Sequence, residues 1–148
     1  MSLTRAIDIL LVEDNPGDID LTREAFEDAN IPTNLFVVED GEDAISFLKL
    51  EGKHAGKPRP DVILLDLNLP KKGGHEVLNF IKNHDILRCI PVVILTSSQA
   101  ESDILKSYNL YANSFVTKPI DSVKFVTVMK TFEDFWLKIA ALPKNTQS

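Results

Sequence analysis

The sequence predicts an α/β fold, a doubly wound five-stranded parallel sheet of the (βα)5 type. The first observation behind this prediction is that short runs of valine, isoleucine and leucine recur along the chain. Runs that are apolar at every position are typical of parallel strands, which are buried on both faces. The second observation is that segments with helical spacing of apolar residues alternate with these runs. This alternation occurs five times and favours a parallel sheet.

Five segments of the chain are predicted as strands. Their residues are 9–12, 35–38, 62–65, 92–95 and 115–117. Pro91 opens the fourth segment, and proline is tolerated at the first position of a strand. Residues 51–60, which are rich in glycine and proline, are predicted as a polar loop before the third strand. This loop is longer than the usual connection of about 4–6 residues.

Helical spacing of apolar residues follows each predicted strand. The first helix starts in the Asn-Pro-Gly-Asp segment at 15–18, whose residue types favour turns and helix starts. The fifth helix starts near Asp121 and carries a stripe of large apolar residues on one side. The apolar residues of the five helices are, in chain order, Leu21, Ala25 and Ala29; Ala44, Ile45 and Leu48; Val77, Leu78 and Ile81; Ile104, Leu105 and Tyr108; and Phe125, Val128, Met129, Phe132 and Trp136.

Size and composition predict one soluble domain over residues 1–148, with a core at about 6–140 and a polar tail at 143–148. A net charge of −6 and a pI near 5.0 argue against nucleic-acid binding, which normally requires a basic surface. No apolar stretch approaches the roughly 20 residues that span a bilayer, and residues 1–5 lack the apolar core of a signal peptide. A single cysteine excludes an internal disulfide framework. We therefore expect a cytoplasmic protein with no nucleic-acid or membrane partner.

Polar side chains follow four of the predicted strands. Glu13 and Asp14 follow the first, Asp66 the third, Thr96 the fourth and Lys118 the fifth. Because ligands of open α/β sheets bind beyond the carboxyl ends of the strands, we expect these side chains to meet at one edge. Three carboxylates close together repel one another, so the cluster predicts a bound cation such as Mg²⁺. The lysine and the hydroxyl suit an anionic oxygen, and phosphate is the obvious candidate.

Each of these residues also has a purely structural interpretation. A lone aspartate after a strand is usually a turn or helix-capping residue. For Asp66 the functional interpretation is favoured because Asp14, Thr96 and Lys118 occupy equivalent strand ends. Capping of the first helix is already available from Asn15 and Asp18. The remaining candidates for metal binding lack suitable spacing and are expected to be surface histidines and a buried free thiol, namely His54, His75, His84 and Cys89.

The order of these motifs resembles the receiver domain of two-component response regulators, a flavodoxin-like fold, over residues 6–140. Leu-Val-Glu-Asp-Asn at 11–15 is similar to the acidic pair of that family, and Asp-Leu-Asn-Leu-Pro at 66–70 to its phosphoacceptor loop. Thr-Ser-Ser at 96–98 and Phe-Val-Thr-Lys-Pro at 115–119 resemble the remaining two motifs. Within the family, the long loop before the third strand resembles the stand-alone, phytochrome-associated type.

The resemblance implies a role for each residue that would contact a phosphoryl group. Asp66 is the implied phosphoacceptor, attacking a phosphohistidine of a partner to form an acyl phosphate. Lys118 would pair with one phosphoryl oxygen, and Thr96 would donate a hydrogen bond to another. Thr96 and Phe115 are the implied switch residues, which move together when the phosphoryl group is present.

The resemblance also implies a Mg²⁺ site. Asp14, Asp66 and the backbone carbonyl of Asn68 would bind the ion directly, and Glu13 would hold it through water. The family commonly has an aspartate at the position of Glu13, where glutamate is an accepted variant. Oxygen ligands with retained water suit Mg²⁺ better than a transition metal.

We therefore expect a stand-alone response regulator that accepts a phosphoryl group from a sensor histidine kinase, a phytochrome-type kinase being one candidate, or from a phosphotransfer protein. It would not be an enzyme, beyond assisting its own phosphotransfer and autodephosphorylation. One alternative is an aspartyl-nucleophile phosphohydrolase. An enzyme of this kind, of the haloacid-dehalogenase type, requires an aspartate two residues after its nucleophile. This chain has Asn68 at that position, and an amide cannot shuttle a proton. Another alternative is a receiver-like scaffold that is not phosphorylated.

The output is predicted to be self-association or a separate partner, since we expect no effector domain after residue 140. In receivers of this kind the switch repacks the face formed by the fourth helix, the fifth strand and the fifth helix. Phe135 lies off the main apolar stripe of the predicted fifth helix and is expected to face solvent. Exposed aromatics often mark interfaces, so the sequence predicts a symmetric homodimer through this face, strengthened by phosphorylation. The alternative is that the polar tail after Pro143 folds over Phe135.

Overall fold

Five parallel strands form the sheet of the computed structural model, in the order β2-β1-β3-β4-β5. The strands are β1 (Ile7–Val12), β2 (Thr33–Val38), β3 (Val62–Asp66), β4 (Val92–Thr96) and β5 (Ala112–Thr117). The helices are α1 (Pro16–Asp28), α2 (Gly41–Leu48) and α3 (Gly74–Lys82), with 3₁₀ turns at Gly52–His54 and Leu87–Cys89. The structure describes residues 6–30, 32–67, 69, 71, 73–96, 112–118, 123 and 127.

The strand order places a crevice at the carboxyl end of β1. The chain runs from β1 outward to β2 and then returns to the other side of β1 with β3, so the connections leave in opposite directions. In open parallel sheets this reversal is where ligands bind. The predicted doubly wound parallel sheet is therefore confirmed, and its reversal point lies next to the residues that follow β1.

The core consists of two layers, one on each face of the sheet. Along β1, Leu10 and Val12 pack against α2 and α3, whereas Ile9 and Leu11 pack against α1. All four side chains are fully buried. Burial on both faces explains why the central strands are apolar at successive positions. Since all five strands are parallel, the polar residues that follow them lie at one edge of the sheet.

Strands β1, β2 and β5 begin earlier than the apolar pattern predicts. In β1 the additional segment contains Asp8, whose backbone N–H donates to Asp61 Oδ2 at 2.9 Å. Asn34 Nδ2 of β2 donates to Asp8 Oδ1 at 3.0 Å. Because these polar groups satisfy one another, β1 and β2 can include polar residues that no apolar periodicity marks.

The start of each of the first two helices is fixed by a side-chain cap. The side chain of Asn15 accepts a hydrogen bond from the backbone N–H of Asp18 at 3.0 Å, and Pro16 occupies the first helical position of α1. Asp40 caps α2 in the same way, accepting from the N–H of Asp43 at 2.7 Å. These bonds satisfy backbone donors that the helix itself leaves free. The predicted helix start at 15–18 is confirmed.

Two expectations for the titratable residues outside the strand ends are wrong. His54 is buried rather than on the surface, because the 51–60 segment folds over α2. Its Nε2 lies 2.8 Å from Asp43 Oδ1, and its ring packs 5.0 Å from that of Phe47. Cys89 is exposed rather than buried, in the 3₁₀ turn after α3. The polar stretch around His54 has no apolar periodicity that predicts its contact with α2, and the apolar neighbours of Cys89 favoured burial although its own side chain faces solvent.

The predicted fourth helix and the polar tail lie outside the described residues, and of the predicted fifth helix only Val123 and Thr127 are described, both of them helical. Within the part of the chain that is described, no helix is long and apolar enough to cross a membrane.

Candidate functional site

Four of the predicted site residues meet at the carboxyl edge of the sheet. Glu13 and Asp14 follow β1, Asp66 ends β3 and Lys118 follows β5. One carboxylate oxygen from each of the three acidic residues lies within 4.8 Å of the other two. The parallel register brings them together because β1 is paired directly with β3. This arrangement confirms the predicted proximity of the three acidic residues.

Glu13 is the innermost of these carboxylates, with a fully buried side chain. Its Oε2 accepts a hydrogen bond from the backbone N–H of Asn15 at 3.3 Å and from Lys118 Nζ at 3.1 Å. The pKa of Glu13 is raised from its ordinary 4.5 to about 7. Burial is the largest cause, the hydrogen bond from Lys118 opposes it, and the hydrogen bond with Asp66 and the charge of Asp66 add to it. The Glu13 side chain therefore keeps its proton up to about neutral pH.

Lys118 connects the acidic side chains. Its Nζ lies 2.9 Å from Glu13 Oε1, 3.2 Å from Asp66 Oδ2 and 2.9 Å from Asp18 Oδ2. Burial lowers the pKa of Lys118, but hydrogen bonds to Glu13 and Asp18 raise it by more, so the pKa lies above its usual value. The ammonium is therefore charged throughout the neutral range and offsets part of the repulsion among the carboxylates.

Asp18 is a site residue that the sequence interpretation missed. It was assigned only to capping of the first helix, yet its carboxylate contacts Lys118 as closely as Glu13 does. Asp18 lies in the first turn of α1. Its position in the first turn after the end of β1, only four residues from Asp14, is the one available signal.

Gly74 allows the start of α3 to pack against the backbone of the Asp66 loop. A Cβ atom at Gly74 would lie 2.5 Å from the carbonyl oxygen of Asp66 and 2.6 Å from Leu67 Cα. The N–H of Gly74 donates to the carbonyl of Leu67 at 3.3 Å. Any larger residue would displace either the helix or the backbone that carries Asp66. Gly74 therefore helps to fix the position of that carboxylate.

Two predicted site residues are placed only in part, and a third, Asn68, lies outside the described residues. The backbone of Thr96 is at the end of β4, paired with Thr117 of β5, and the backbone of Phe115 pairs with Ile94. The side chains of Thr96 and Phe115 lie outside the described part of the structure. The predicted metal ligation by Asn68 and the predicted switch roles of Thr96 and Phe115 therefore stay predictions.

The carboxylate cluster fits a hard divalent cation. All its side-chain ligands are oxygens, and the exposed position of Asp14 leaves room for the water that Mg²⁺ retains. Glu13 Oε1 is buried and accepts no well-directed hydrogen bond from the described residues, although Lys118 Nζ forms an ion pair with it. A water molecule bound to a cation could donate the missing hydrogen bond. The residues present thus match the predicted Mg²⁺ site.

The raised pKa of Glu13 predicts a pH-dependent stability of the metal-free protein. The folded protein holds this proton to about pH 7, whereas the unfolded chain releases it near 4.5. The stabilising contribution is complete below the lower value and is lost as the pH rises through about 7. Glu13→Gln does not titrate, so the free energy of unfolding of wild type should fall relative to this variant by up to about 3 kcal/mol.

Urea unfolding in EDTA on both sides of neutral pH measures this difference. A difference between wild type and Glu13→Gln that is the same at about pH 5 and about pH 8.5 would contradict the assignment.

A comparison with known families identifies the class of protein. The family model described as the response regulator receiver domain matches residues 9–130. The chain therefore belongs to the response regulator receiver family, and the fold described above is the receiver fold. The family that the sequence motifs indicated is confirmed.

The relatives of the chain define a narrower group. Response regulator Rcp1 of Synechocystis sp. is 43% identical over 135 residues, which cover 91% of this chain and 92% of Rcp1. The Mn²⁺-bound structure of Rcp1 is 42% identical with a TM-score of 0.75, covering 93% of this chain and 99% of that one.

Two further solved structures similar to this chain are of phytochrome response regulators. The phosphorylated cyanobacterial phytochrome response regulator RcpA is 45% identical with a TM-score of 0.76, covering 95% of this chain and 100% of RcpA. The bacteriophytochrome response regulator RtBRR is 44% identical with a TM-score of 0.80, covering 85% of this chain and 77% of that one. The predicted similarity to phytochrome-associated response regulators is confirmed.

Proposed function

We propose that Asp66 is the phosphoacceptor of this response regulator and that a Mg²⁺ ion bound beside it enables phosphorylation. The observation that carries the proposal is the position of Lys118, whose Nζ lies 3.2 Å from Asp66 Oδ2. An ammonium at this distance can pair with an oxygen of a phosphoryl group attached to Asp66. Asp66 itself is 2% exposed, so the group would enter a site from which bulk water is largely excluded.

The reaction that follows is an in-line phosphoryl transfer. An oxygen of Asp66 attacks the phosphorus of a phosphohistidine, the new O–P bond forms as the P–N bond breaks, and the imidazole keeps the electron pair of that bond. Such transfers need positioning and charge neutralisation more than covalent help from the protein. Lys118 would neutralise one phosphoryl oxygen, and Thr96 would donate a hydrogen bond to another.

The proposed ligands of the ion are Asp14, Asp66 and the carbonyl of Asn68, with Glu13 acting through water. When bound, Mg²⁺ would supply the remaining neutralisation of charge. Receiver domains bind Mg²⁺ or Mn²⁺ at an acidic site, and the cluster of Glu13, Asp14 and Asp66 matches such a site. The Mn²⁺-bound form of Rcp1 supports a divalent cation in a close relative. Mg²⁺ is proposed for this chain because its ligands are all hard oxygens.

The proposed phosphodonor is a sensor histidine kinase, and the relatives favour one of the phytochrome type over a separate phosphotransfer protein. RcpA and RtBRR are both described as regulators associated with phytochromes. Residues 6–140 would form the whole receiver unit. A cytoplasmic location belongs to the proposal on the grounds of the acidic composition and the single cysteine.

Intact mass measurement tests this function against its two alternatives. The chain is incubated with Mg²⁺ and a small phosphodonor such as acetyl phosphate, and its mass is followed over time. A transient, acid-labile phosphoryl adduct supports the response regulator. Steady release of phosphate from small phosphomonoesters would support a phosphohydrolase instead, and no reaction with any donor would support a scaffold.

We further propose that phosphorylation strengthens a symmetric homodimer. The proposed interface is the face of the helix predicted after β4, of β5 and of the helix predicted after β5, and β5 is an outer strand of the described sheet. The fifth helix contributes aromatic residues in the sequence, including Phe135, which lies off the apolar stripe. A ligand that favours one conformation shifts the population towards it, so a phosphoryl mimic should favour the dimer.

Sedimentation of wild type and Phe135→Ser, with and without beryllofluoride as the phosphoryl mimic, tests the interface. Wild type should dimerise more strongly with the mimic, and Phe135→Ser should weaken this dimer about tenfold or more, the usual scale for an aromatic interface anchor. Ile86→Ser is the matched control, because Ile86 is an exposed apolar residue after α3. Wild type that stays monomeric at high concentration in every condition would contradict the proposal.

A further inference from the structure

The environment of Lys118 is more crowded than its proposed role requires. An ammonium has three N–H donors, and three carboxylates surround this one. They belong to Glu13, Asp18 and Asp66, with closest contacts of 2.9, 2.9 and 3.2 Å. All donors of Lys118 are therefore engaged before any phosphoryl group arrives. A phosphoryl oxygen can gain a hydrogen bond from Lys118 only if one of these carboxylates gives it up.

Asp18 differs from the other two partners of Lys118 in where it comes from. Glu13 and Asp66 belong to the strand ends and to the carboxylate cluster that fits a cation, whereas Asp18 belongs to α1 and is not in that cluster. The side chain of Asp18 is also 17% exposed, against 0% for Glu13 and 3% for Asp66. Asp18 can be rehydrated when it leaves Lys118, whereas Glu13 would stay buried without its cationic partner, which costs far more.

We propose that Asp18 is a positioning residue that holds Lys118 in the resting protein and releases it to the phosphoryl group. The proposal rests on the function assigned to Asp66 above. In the resting state Asp18 holds Lys118 Nζ between α1 and the strand ends. In the phosphorylated state the carboxylate of Asp18 competes with the phosphoryl oxygens for the same donor and repels their charge. Asp18 therefore weakens the binding of phosphoryl groups and limits how fully the resting protein is activated.

The proposal predicts opposite effects of Asp18→Asn on two ligands. Without the competing carboxylate, Lys118 is available to an incoming anion, so beryllofluoride at saturating Mg²⁺ should bind about five- to tenfold more tightly. Mg²⁺ alone should bind about two- to threefold more weakly, because negative charge is removed nearby and Lys118 is left to Glu13 and Asp66. A loss of structure would weaken the binding of both ligands, so the divergence distinguishes positioning from a structural role.

Calorimetric titration of the full chain with Mg²⁺, and then with beryllofluoride at saturating Mg²⁺, measures both effects. Asp20→Asn is the matched control, since Asp20 is an exposed aspartate of the same helix. It should leave both affinities within about twofold of wild type. Asp18→Ala should behave as Asp18→Asn does. Asp18→Glu keeps a carboxylate on a longer stem and should restore the wild-type preference.

Failure of the phosphoacceptor function and failure of the role of Asp18 give different results. Wild type that binds no beryllofluoride would overturn the phosphoacceptor function itself. Wild type that binds beryllofluoride, together with an Asp18→Asn variant that binds it equally well or more weakly, would overturn only the role of Asp18. Equal changes in Asp18→Asn and Asp20→Asn would also overturn it, because net charge alone would then explain them.

Discussion

Mg²⁺ is expected to raise the melting temperature of the wild-type chain, and Asp14→Ala is expected to remove most of that rise. A ligand that binds only the folded state stabilises it by about 2.7 kcal/mol when present at 100 times its dissociation constant. For a chain of this length, such a gain corresponds to roughly 5–10 °C. Asp14 carries the effect because its carboxylate lies within the cluster yet is exposed, and so can bind the ion directly.

Thermal unfolding with and without Mg²⁺ measures this shift. Asp20→Ala, which removes an exposed aspartate of α1, should retain nearly the whole rise. A larger and tighter response to Zn²⁺ or Ca²⁺ than to Mg²⁺ would point to a different kind of site. An Asp14→Ala variant with the full wild-type response would show that the ion binds elsewhere.

Asp66→Asn is expected to abolish phosphorylation and, in EDTA, to make the protein more stable. The substitution removes the nucleophile but keeps the shape of the side chain. It also removes one of the carboxylates that share a single lysine, Lys118. The relief of repulsion should exceed the loss of one contact with Lys118, giving a gain of about 1 kcal/mol in the free energy of unfolding.

Urea unfolding in EDTA and intact mass after incubation with acetyl phosphate check the two halves of this prediction. Asp20→Asn changes the net charge equally and should alter neither stability nor phosphorylation. An Asp66→Asn protein that unfolds more easily than wild type would count against crowding of the carboxylates. An Asp66→Asn protein that gains a phosphoryl group at the wild-type rate would show that Asp66 is not the phosphoacceptor.

The proximity of the acidic site residues could be predicted from sequence because it follows from the sheet alone. Val12 of β1 and Leu65 of β3 are paired in parallel register, so the residues that follow them must emerge at the same edge. Lys118 follows β5, which runs in the same direction. Apolar runs fix the strands, and parallel strands fix the edge. Neither step depends on the detailed packing of side chains.

The contacts that the sequence did not reveal depend on how separate elements pack. Asp18 reaches Lys118 only because α1 begins directly beside the strand ends, and its residue type is equally suited to capping a helix. His54 is buried only because the 51–60 segment folds back onto α2 and Phe47. In both cases a short polar stretch has no periodicity from which to predict its tertiary partner.

The most direct test of the central claim is to locate the phosphoryl group chemically. Borohydride reduces an acyl phosphate to an alcohol, leaving a permanent mass change on the carboxylate that carried it. The chain is phosphorylated with acetyl phosphate and Mg²⁺, reduced, digested and sequenced by mass spectrometry. The account predicts one reduced residue, Asp66, and none when Mg²⁺ is replaced by EDTA. Reduction at Asp14 or Asp18 instead, or a phosphorylated protein with no reduced carboxylate, would contradict it.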